Sequence, residues 1–121
     1  MARALELAGA TPEIIPLMRL RTQNIRWSEY QMLVLPGGFS YADALGAGKL
    51  MALDLSHFFI DQAQAFVDAG KPVIGICNGF QTLVKSGILP GLVKQDDAAW
   101  ATLTHNAGNH FECRWVSLQP I

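Results

Sequence analysis

The segment that most constrains the fold is an apolar run followed at once by a cysteine between two glycines. Residues 72–74 predict a strand and Asn78–Lys85 predict a helix, so Cys77 stands at the sharp turn between them. Small residues two places before and after such a turn let the neighbouring backbone pass closely, and Gly75 and Gly79 occupy those places. A lone cysteine is more often a small buried hydrophobe, but the flanking glycines favour a nucleophile elbow carrying sulfur, where the helix dipole favours the thiolate.

A second glycine-rich break follows another apolar run. Residues 32–35 predict a parallel strand covered on both faces, which ends at Pro36-Gly37-Gly38. Because ligands bind at the carboxyl ends of parallel strands, both breaks line one crevice if the two strands are neighbours. Gly37-Gly38 alone is typical of a tight turn. Beside the elbow it suggests an oxyanion hole formed by the N–H groups of Gly38 and Asn78.

Strands alternating with helices predict an α/β protein with a parallel sheet. Bulk properties fit one small packed domain, because 50% of the 121 residues are hydrophobic and 16% are charged. The other predicted elements are a short helix at residues 2–8, a strand at 13–17, an irregular connection at 18–30 in which Trp27 covers core, one long helix at 49–69 with His57 at the core edge, and strands at 100–104 and 111–118 forming a hairpin.

Charge and cysteine content exclude several classes of function. The net charge is −1 and no basic run exists, so nucleic acid is excluded as a partner. No apolar stretch is long enough for a membrane span and the N-terminus does not read as a signal peptide, so we expect a cytoplasmic protein. A disulfide between the two cysteines is formally possible, but a catalytic Cys77 and a packed Cys113 fit better.

Several motifs together resemble class I glutamine amidotransferase domains. They are Leu-Pro-Gly-Gly-Phe-Ser-Tyr-Ala-Asp at residues 35–43, Gly-Lys-Pro-Val-Ile-Gly-Ile-Cys-Asn-Gly-Phe-Gln at 70–81 and Gly-Ile-Leu-Pro-Gly at 87–91. Asn106 and Phe-Glu-Cys-Arg-Trp-Val at 111–116 add to the similarity. Within the class, the chain resembles the glutaminase subunit or domain of phosphoribosylformylglycinamidine synthase.

The resemblance implies a flavodoxin-like three-layer sandwich with a mostly parallel sheet, spanning residues 1–121 as a single, partial domain. It implies that Cys77 attacks the carboxamide of glutamine and releases ammonia through a glutamyl thioester. The residues expected to contact the bound substrate are Phe39, Gln81 and Asn106. The ammonia would pass to a synthetase subunit or domain that holds ATP and Mg²⁺. Nothing in this chain reads as an ATP site, and we expect no cofactor or metal in it.

The sequence departs from this family where a base is expected. The family has a His-x-Glu motif far downstream and a strand before the first helix, so we expect an incomplete copy, truncated at both ends, with little turnover of its own. His110 and Glu112 have the right spacing, but the following Arg114 assigns them to an earlier strand of the family. A His110–Glu112 pair acting as the general base is therefore the less favoured alternative. A metal site from His105, His110 and Cys113 is less favoured still.

Two substitutions inside the motifs change the rim of the site. Ala42 stands where the family usually has glycine, and Gly46 stands where it usually has arginine. The first loses backbone freedom and the second removes a cation, and either change weakens contact with a partner in this interpretation.

Two other functions stay open at this stage. The DJ-1/protease-like superfamily also carries a cysteine at a strand-to-helix turn and acts as a hydrolase or redox sensor, although Gln81 and the Phe-Ser-Tyr loop argue against it. An inactive amidotransferase remnant that only docks to a synthetase subunit is the non-enzymatic alternative.

Overall fold

The computed structural model describes residues 1–46, 48–91, 101–117 and 119. Short 3-10 turns lie at Trp27–Glu29 and Ser40–Asp43. The helices and strands are α1 (Ala2–Leu7), α2 (Leu17–Thr22), β1 (Leu33–Leu35), α3 (Lys49–Phe58), α4 (Ile60–Asp68), β2 (Val73–Gly75) and α5 (Asn78–Lys85). The first helix agrees with its prediction to within a residue, and the helix after the cysteine agrees at both ends. In the described ranges, no helix combines the length and apolar character needed to cross a membrane.

The two predicted apolar strands form a parallel pair, which confirms the α/β class. Leu33 lies opposite Val73 and Leu35 lies opposite Gly75. The ladder continues past the strand, because the Ile76 N–H donates to the Leu35 carbonyl at 3.1 Å. The carboxyl ends of β1 and β2 therefore lie side by side. Among the described residues the sheet has these two strands.

The strand predicted at residues 13–17 is wrong. Residues 11–16 have no regular structure, and Leu17 begins α2 instead. Pro16 is the cause, because a proline without an N–H is well suited to a helix start, and its carbonyl accepts the N–H groups of Arg19 and Leu20. The same helix corrects the prediction that residues 18–30 are irregular throughout.

The predicted long helix is divided in two at Phe59, where φ is −133° and ψ is 7°. The ring of Phe59 is buried and stacks on Trp27 with centroids 5.8 Å apart, so packing replaces the helical conformation at this residue. His57, predicted at the core edge, is exposed and lies edge-on against Phe58. His57 was included in the apolar spacing of the predicted helix, but it lies outside the row of buried side chains, which consists of Leu55, Phe59, Ala63 and Phe66.

The core lies between the sheet and the helices. Trp27 is 6% exposed and contacts Phe66 edge-on, which confirms that it covers core. Leu83 of α5 is completely buried. The buried cluster consists of Trp27, Leu35, Leu55, Phe59, Ala63, Phe66, Leu83 and Ile88.

The predicted hairpin near the C-terminus is wrong over its described residues. Residues 101–104 and 111–117 contain no strand, while Trp100 and Leu118 lie outside the described residues. Trp115 is fully exposed, so the alternating apolar side chains have no described surface to cover, and alternation without burial does not select a strand. The segment is held to α5 by Lys85, whose ammonium donates to Thr102 Oγ1 and the Leu103 carbonyl.

Candidate functional site

Cys77 occupies the strained turn that the sequence predicts. Its φ is 52° and its ψ is −115°, and it is the N-cap residue of α5. The thiol is free and exposed. The turn is closed by the Gly79 N–H donating to the Ile76 carbonyl at 2.9 Å and the Gln81 N–H donating to the Cys77 carbonyl at 3.0 Å. A non-glycine residue keeps such a conformation only where its surroundings determine it, as at a nucleophile elbow.

Both flanking glycines are needed for close backbone approach, as predicted. A Cβ on Gly75 would lie 2.8 Å from the Gly79 carbonyl oxygen and 2.8 Å from Phe80 Cα. A Cβ on Gly79 would collide with the Leu35 carbonyl of β1. The elbow is therefore seated directly on the backbone of β1.

The glycine-rich loop after β1 lies against the cysteine. A Cβ on Gly37 would be 3.1 Å from Cys77 Cβ and 3.9 Å from Cys77 Sγ. This contact and the pairing of their strands show that the two glycine-rich breaks are adjacent, as the prediction requires. Gly38 has φ 117° and faces open space. Over the described part of the chain, the N–H groups of Gly38 and Asn78 donate to no other protein group.

Asn78 connects the elbow to the loop in a way that the sequence did not reveal. Its side chain is 2% exposed. Its Oδ1 accepts the Ser40 N–H at 2.9 Å, and its Nδ2 donates to Asp43 Oδ1 at 3.1 Å and to Gln81 Oε1 at 3.2 Å. Asp43 Oδ1 also accepts the Gly48 N–H at 2.9 Å. Asp43 was quoted in the motif, but only a three-dimensional contact could assign it this role.

The loop of residues 39–43 is strained. Four non-glycine residues have positive φ values, namely Phe39, Tyr41, Ala42 and Asp43. The Tyr41 hydroxyl donates to Asp54 Oδ2 of α3, and this hydrogen bond is the main cause that raises the pKa of Tyr41 above its ordinary value. Phe39, the first residue of this loop, is 72% exposed.

The remaining predicted substrate contacts fall in two places. Gln81 lies one helical turn after Cys77 and is joined to Asn78. Asn106 lies in a separate turn, where its Nδ2 donates to the His110 carbonyl at 3.0 Å. That turn belongs to the segment attached through Lys85, at the end of α5 away from Cys77. The structure thus brings Gln81 to the elbow and gives Asn106 contacts of its own.

His110 and Glu112 do form a pair, although not on a strand. His110 Nε2 lies 3.1 Å from Glu112 Oε1, and Arg114 binds the other carboxylate oxygen. In residues 1–46, 48–91 and 101–117, no histidine hydrogen-bonds to Cys77. Cys113, predicted to be packed, is exposed, because the segment that carries it covers no core. The same described ranges hold no group of three His, Cys, Asp or Glu side chains able to bind a metal.

The comparisons with known proteins identify the family of the chain. Residues 1–121 match the CobB/CobQ-like glutamine amidotransferase domain, so the chain belongs to this family of glutamine amidotransferase domains. It is 58% identical over 128 aligned positions to the phosphoribosylformylglycinamidine synthase subunit PurQ of Treponema denticola, covering 98% of this chain and 47% of that protein.

Two further relatives carry the same name. The chain is 44% identical to the PurQ subunit of Dehalococcoides mccartyi, with 95% of this chain and 44% of that protein aligned. It is 36% identical to the PurQ subunit of Thermotoga maritima, with 95% of this chain and 45% of that protein aligned. The chain spans about half the length of the curated relatives it matches. No solved structure matches it.

Proposed function

We propose that the chain is the glutamine-hydrolysing component of a phosphoribosylformylglycinamidine synthase in purine biosynthesis, with Cys77 as nucleophile. The single observation that carries the proposal is an exposed thiol on a strained elbow, with the Gly37 loop against it. Family membership and the names of the relatives support the same assignment.

In the proposed reaction, Cys77 Sγ is first the nucleophile and then the leaving group. Cys77 Sγ bonds to the side-chain carboxamide carbon of glutamine, the carbon–nitrogen bond breaks, and the nitrogen leaves as ammonia after taking up the thiol proton. Water then attacks the thioester carbon, and glutamate departs while the thiol is restored. The exposed position of Cys77 leaves room for the substrate.

Negative charge on the intermediate would be held by backbone amides. The N–H groups of Asn78 and Gly38 are the candidates, because both belong to the segments that meet at Cys77 and donate to no other group in the described residues. Such donors stabilise charge that develops in the transition state, and removing one commonly costs about 100- to 1000-fold in rate. Phe39, Gln81 and Asn106 remain the proposed substrate contacts.

No side chain in the described part of the chain hydrogen-bonds to the Cys77 thiol as a proton acceptor. Two of the described histidines form contacts elsewhere, His110 with Glu112 and His57 with Phe58. We therefore propose that the 121-residue chain alone has little glutaminase turnover. Appreciable turnover by the purified chain, abolished by Cys77→Ala, would contradict this part of the proposal.

The finer features of the fold and the assembly belong to the same proposal. Residues 1–121 would form one domain with the flavodoxin-like arrangement of its class, and β1 and β2 would be neighbouring strands of its sheet. Ammonia would pass to a synthetase subunit that binds ATP and Mg²⁺. We propose a cytoplasmic location for the complex.

Alkylation by a glutamine-like chloroketone tests the proposal directly. We expect faster modification of Cys77 than by a simple chloroketone without the amino acid group, protection by glutamine, and a single labelled site in the mass spectrum. Cys113→Ser is the matched control, because Cys113 is also free and exposed but lies outside the elbow. Equal labelling of both cysteines, without protection by glutamine, would refute the assignment. Rapid oxidation of Cys77 to a sulfinic acid with no response to glutamine analogues would indicate a redox function instead.

A further inference from the structure

The side chain of Asn78 is almost fully buried beside the nucleophile, and its hydrogen bonds run in two directions. Through Oδ1 and one Nδ2 hydrogen it holds Ser40 and Asp43 of the loop. Through its other Nδ2 hydrogen it reaches Gln81. An amide with both donors and its acceptor occupied has one orientation available to it.

On the loop side, these bonds secure a conformation that the sequence alone disfavours. Residues 39–43 carry four positive φ values at non-glycine positions, and such backbone persists only when its surroundings determine it. Asn78 contacts both ends of the strained stretch, at Ser40 and at Asp43. Asp43 in turn accepts the Gly48 N–H, which ties the loop to the start of α3.

On the helix side, the hydrogen bond from Asn78 determines which end of the Gln81 amide faces the substrate. Gln81 Oε1 accepts from Asn78, so its NH₂ group points away from that contact. Within the described residues this NH₂ group donates to no protein acceptor. A substrate meeting it would have to offer an acceptor, such as the carbonyl or carboxylate oxygen of an amino acid amide.

We propose that Asn78 is a positioning residue that fixes Gln81 as a donor toward the substrate and holds the 39–43 loop against the N-terminus of α5. The proposal rests on the glutaminase function argued above, and it concerns how the substrate is held rather than how the thiol reacts. Asn78 acts here through its side chain, separately from its backbone N–H.

An exchange variant separates this role from folding. In Asp43→Asn/Asn78→Asp the new amide at position 43 donates to the new carboxylate at position 78, so the contact between these two residues is restored in the opposite sense, whereas the Gly48 N–H loses its acceptor at Asp43 Oδ1. The carboxylate has no hydrogen for Gln81, whose amide must turn over and present its oxygen to the substrate. The exchange variant should therefore melt at a higher temperature than Asn78→Ala, which does not restore that contact, but bind the glutamine-like chloroketone more weakly than wild type does.

We expect the inactivation constant for that reagent to rise about tenfold, the effect of losing one hydrogen bond of ordinary strength. The iodoacetamide rate of the same variant reports the thiol without the substrate site and includes any effect of the new carboxylate on the thiolate, so the loss is measured relative to that rate. Asn24→Asp makes the same chemical change at an exposed site and should behave as wild type. A folded exchange variant that binds the reagent as tightly as wild type does would overturn the proposal.

A measurement on the unmodified chain covers the case in which the exchange variant does not fold. In ¹⁵N NMR spectra, the Asn78 side-chain amide hydrogens should be protected from exchange, and the Gln81 amide signals should shift when glutamine is added. Gln81 signals that do not move, in a protein still alkylated selectively at Cys77, overturn the positioning role alone. Loss of that selectivity in the wild-type chain would overturn the glutaminase function itself.

Discussion

Replacing Ala42 by glycine should stabilise the protein, contrary to the usual effect of removing a methyl group. Ala42 has φ 52° and ψ 20°, in the left-handed region, and its side chain is exposed. The left-handed conformation costs an L-residue about 1–2 kcal/mol, and glycine does not incur that cost. Glycine loses about 0.4–1 kcal/mol through its greater freedom in the unfolded chain. The net gain should be about 0.5–1 kcal/mol.

A control two residues away tests the reasoning. Ala44 is also an exposed alanine, but its φ of −55° and ψ of −30° are right-handed. Ala44→Gly relieves no left-handed strain and only gives the unfolded chain more freedom, so it should lower the free energy of unfolding by about 0.4–1 kcal/mol. The two variants should therefore lie about 1–2 kcal/mol apart in urea unfolding.

In a thermal melt, Ala42→Gly should raise the midpoint by about 2–5 °C. Stabilities that are equal, or an order in which Ala42→Gly is the less stable variant, would refute the left-handed assignment of the loop.

Three further predictions follow from the contacts around the site. Gly79→Ala should destabilise the fold by about 1–3 kcal/mol in urea unfolding, because its Cβ would collide with a β1 carbonyl; a wild-type midpoint would contradict the close seating of the elbow. The hydrogen bond from Tyr41 to Asp54 favours the neutral phenol and raises the pKa of Tyr41. The stability that this bond gives the folded chain is therefore present below about pH 10 and is lost as the pH rises through the raised pKa. A tyrosinate absorbance titration should place this ionisation above pH 10, Tyr41→Phe should remove it, and ionisation below pH 10 would refute the contact. Lys71→Gln should lower the free energy of unfolding by about 1–3 kcal/mol, because the ammonium donates to two backbone carbonyls, whereas Lys49→Gln at an exposed position should leave it unchanged.

The elbow could be predicted from sequence because its determinants are local. A strand, a helix and two glycines at fixed offsets specify the turn, and a Cβ at either glycine would strike neighbouring backbone. The two parallel strands could be predicted equally well, since an uninterrupted apolar run of that length is typical of such a strand, although Ile74 of β2 is exposed rather than covered. Their pairing then placed the two glycine-rich breaks together.

Other features depend on contacts that no local pattern records. The bond between Asn78 and Asp43 joins residues 35 positions apart. The helix break at Phe59 follows from stacking on Trp27, a residue far away in sequence. The hairpin prediction failed because alternation at residues 111–117 indicates a strand only when one face is covered.

The contact between Gly79 and the Leu35 carbonyl has a consequence for how freely the rest of the domain can change. It joins main chain to main chain, so the height of the sulfur above the sheet is set by atoms that every amino acid shares. Substitutions among the interior side chains can accumulate without displacing the nucleophile, provided that the two bare α-carbons on either side of Cys77 are kept. The position of the thiol therefore depends on the main chain of β1 and α5 more than on which side chains fill the core.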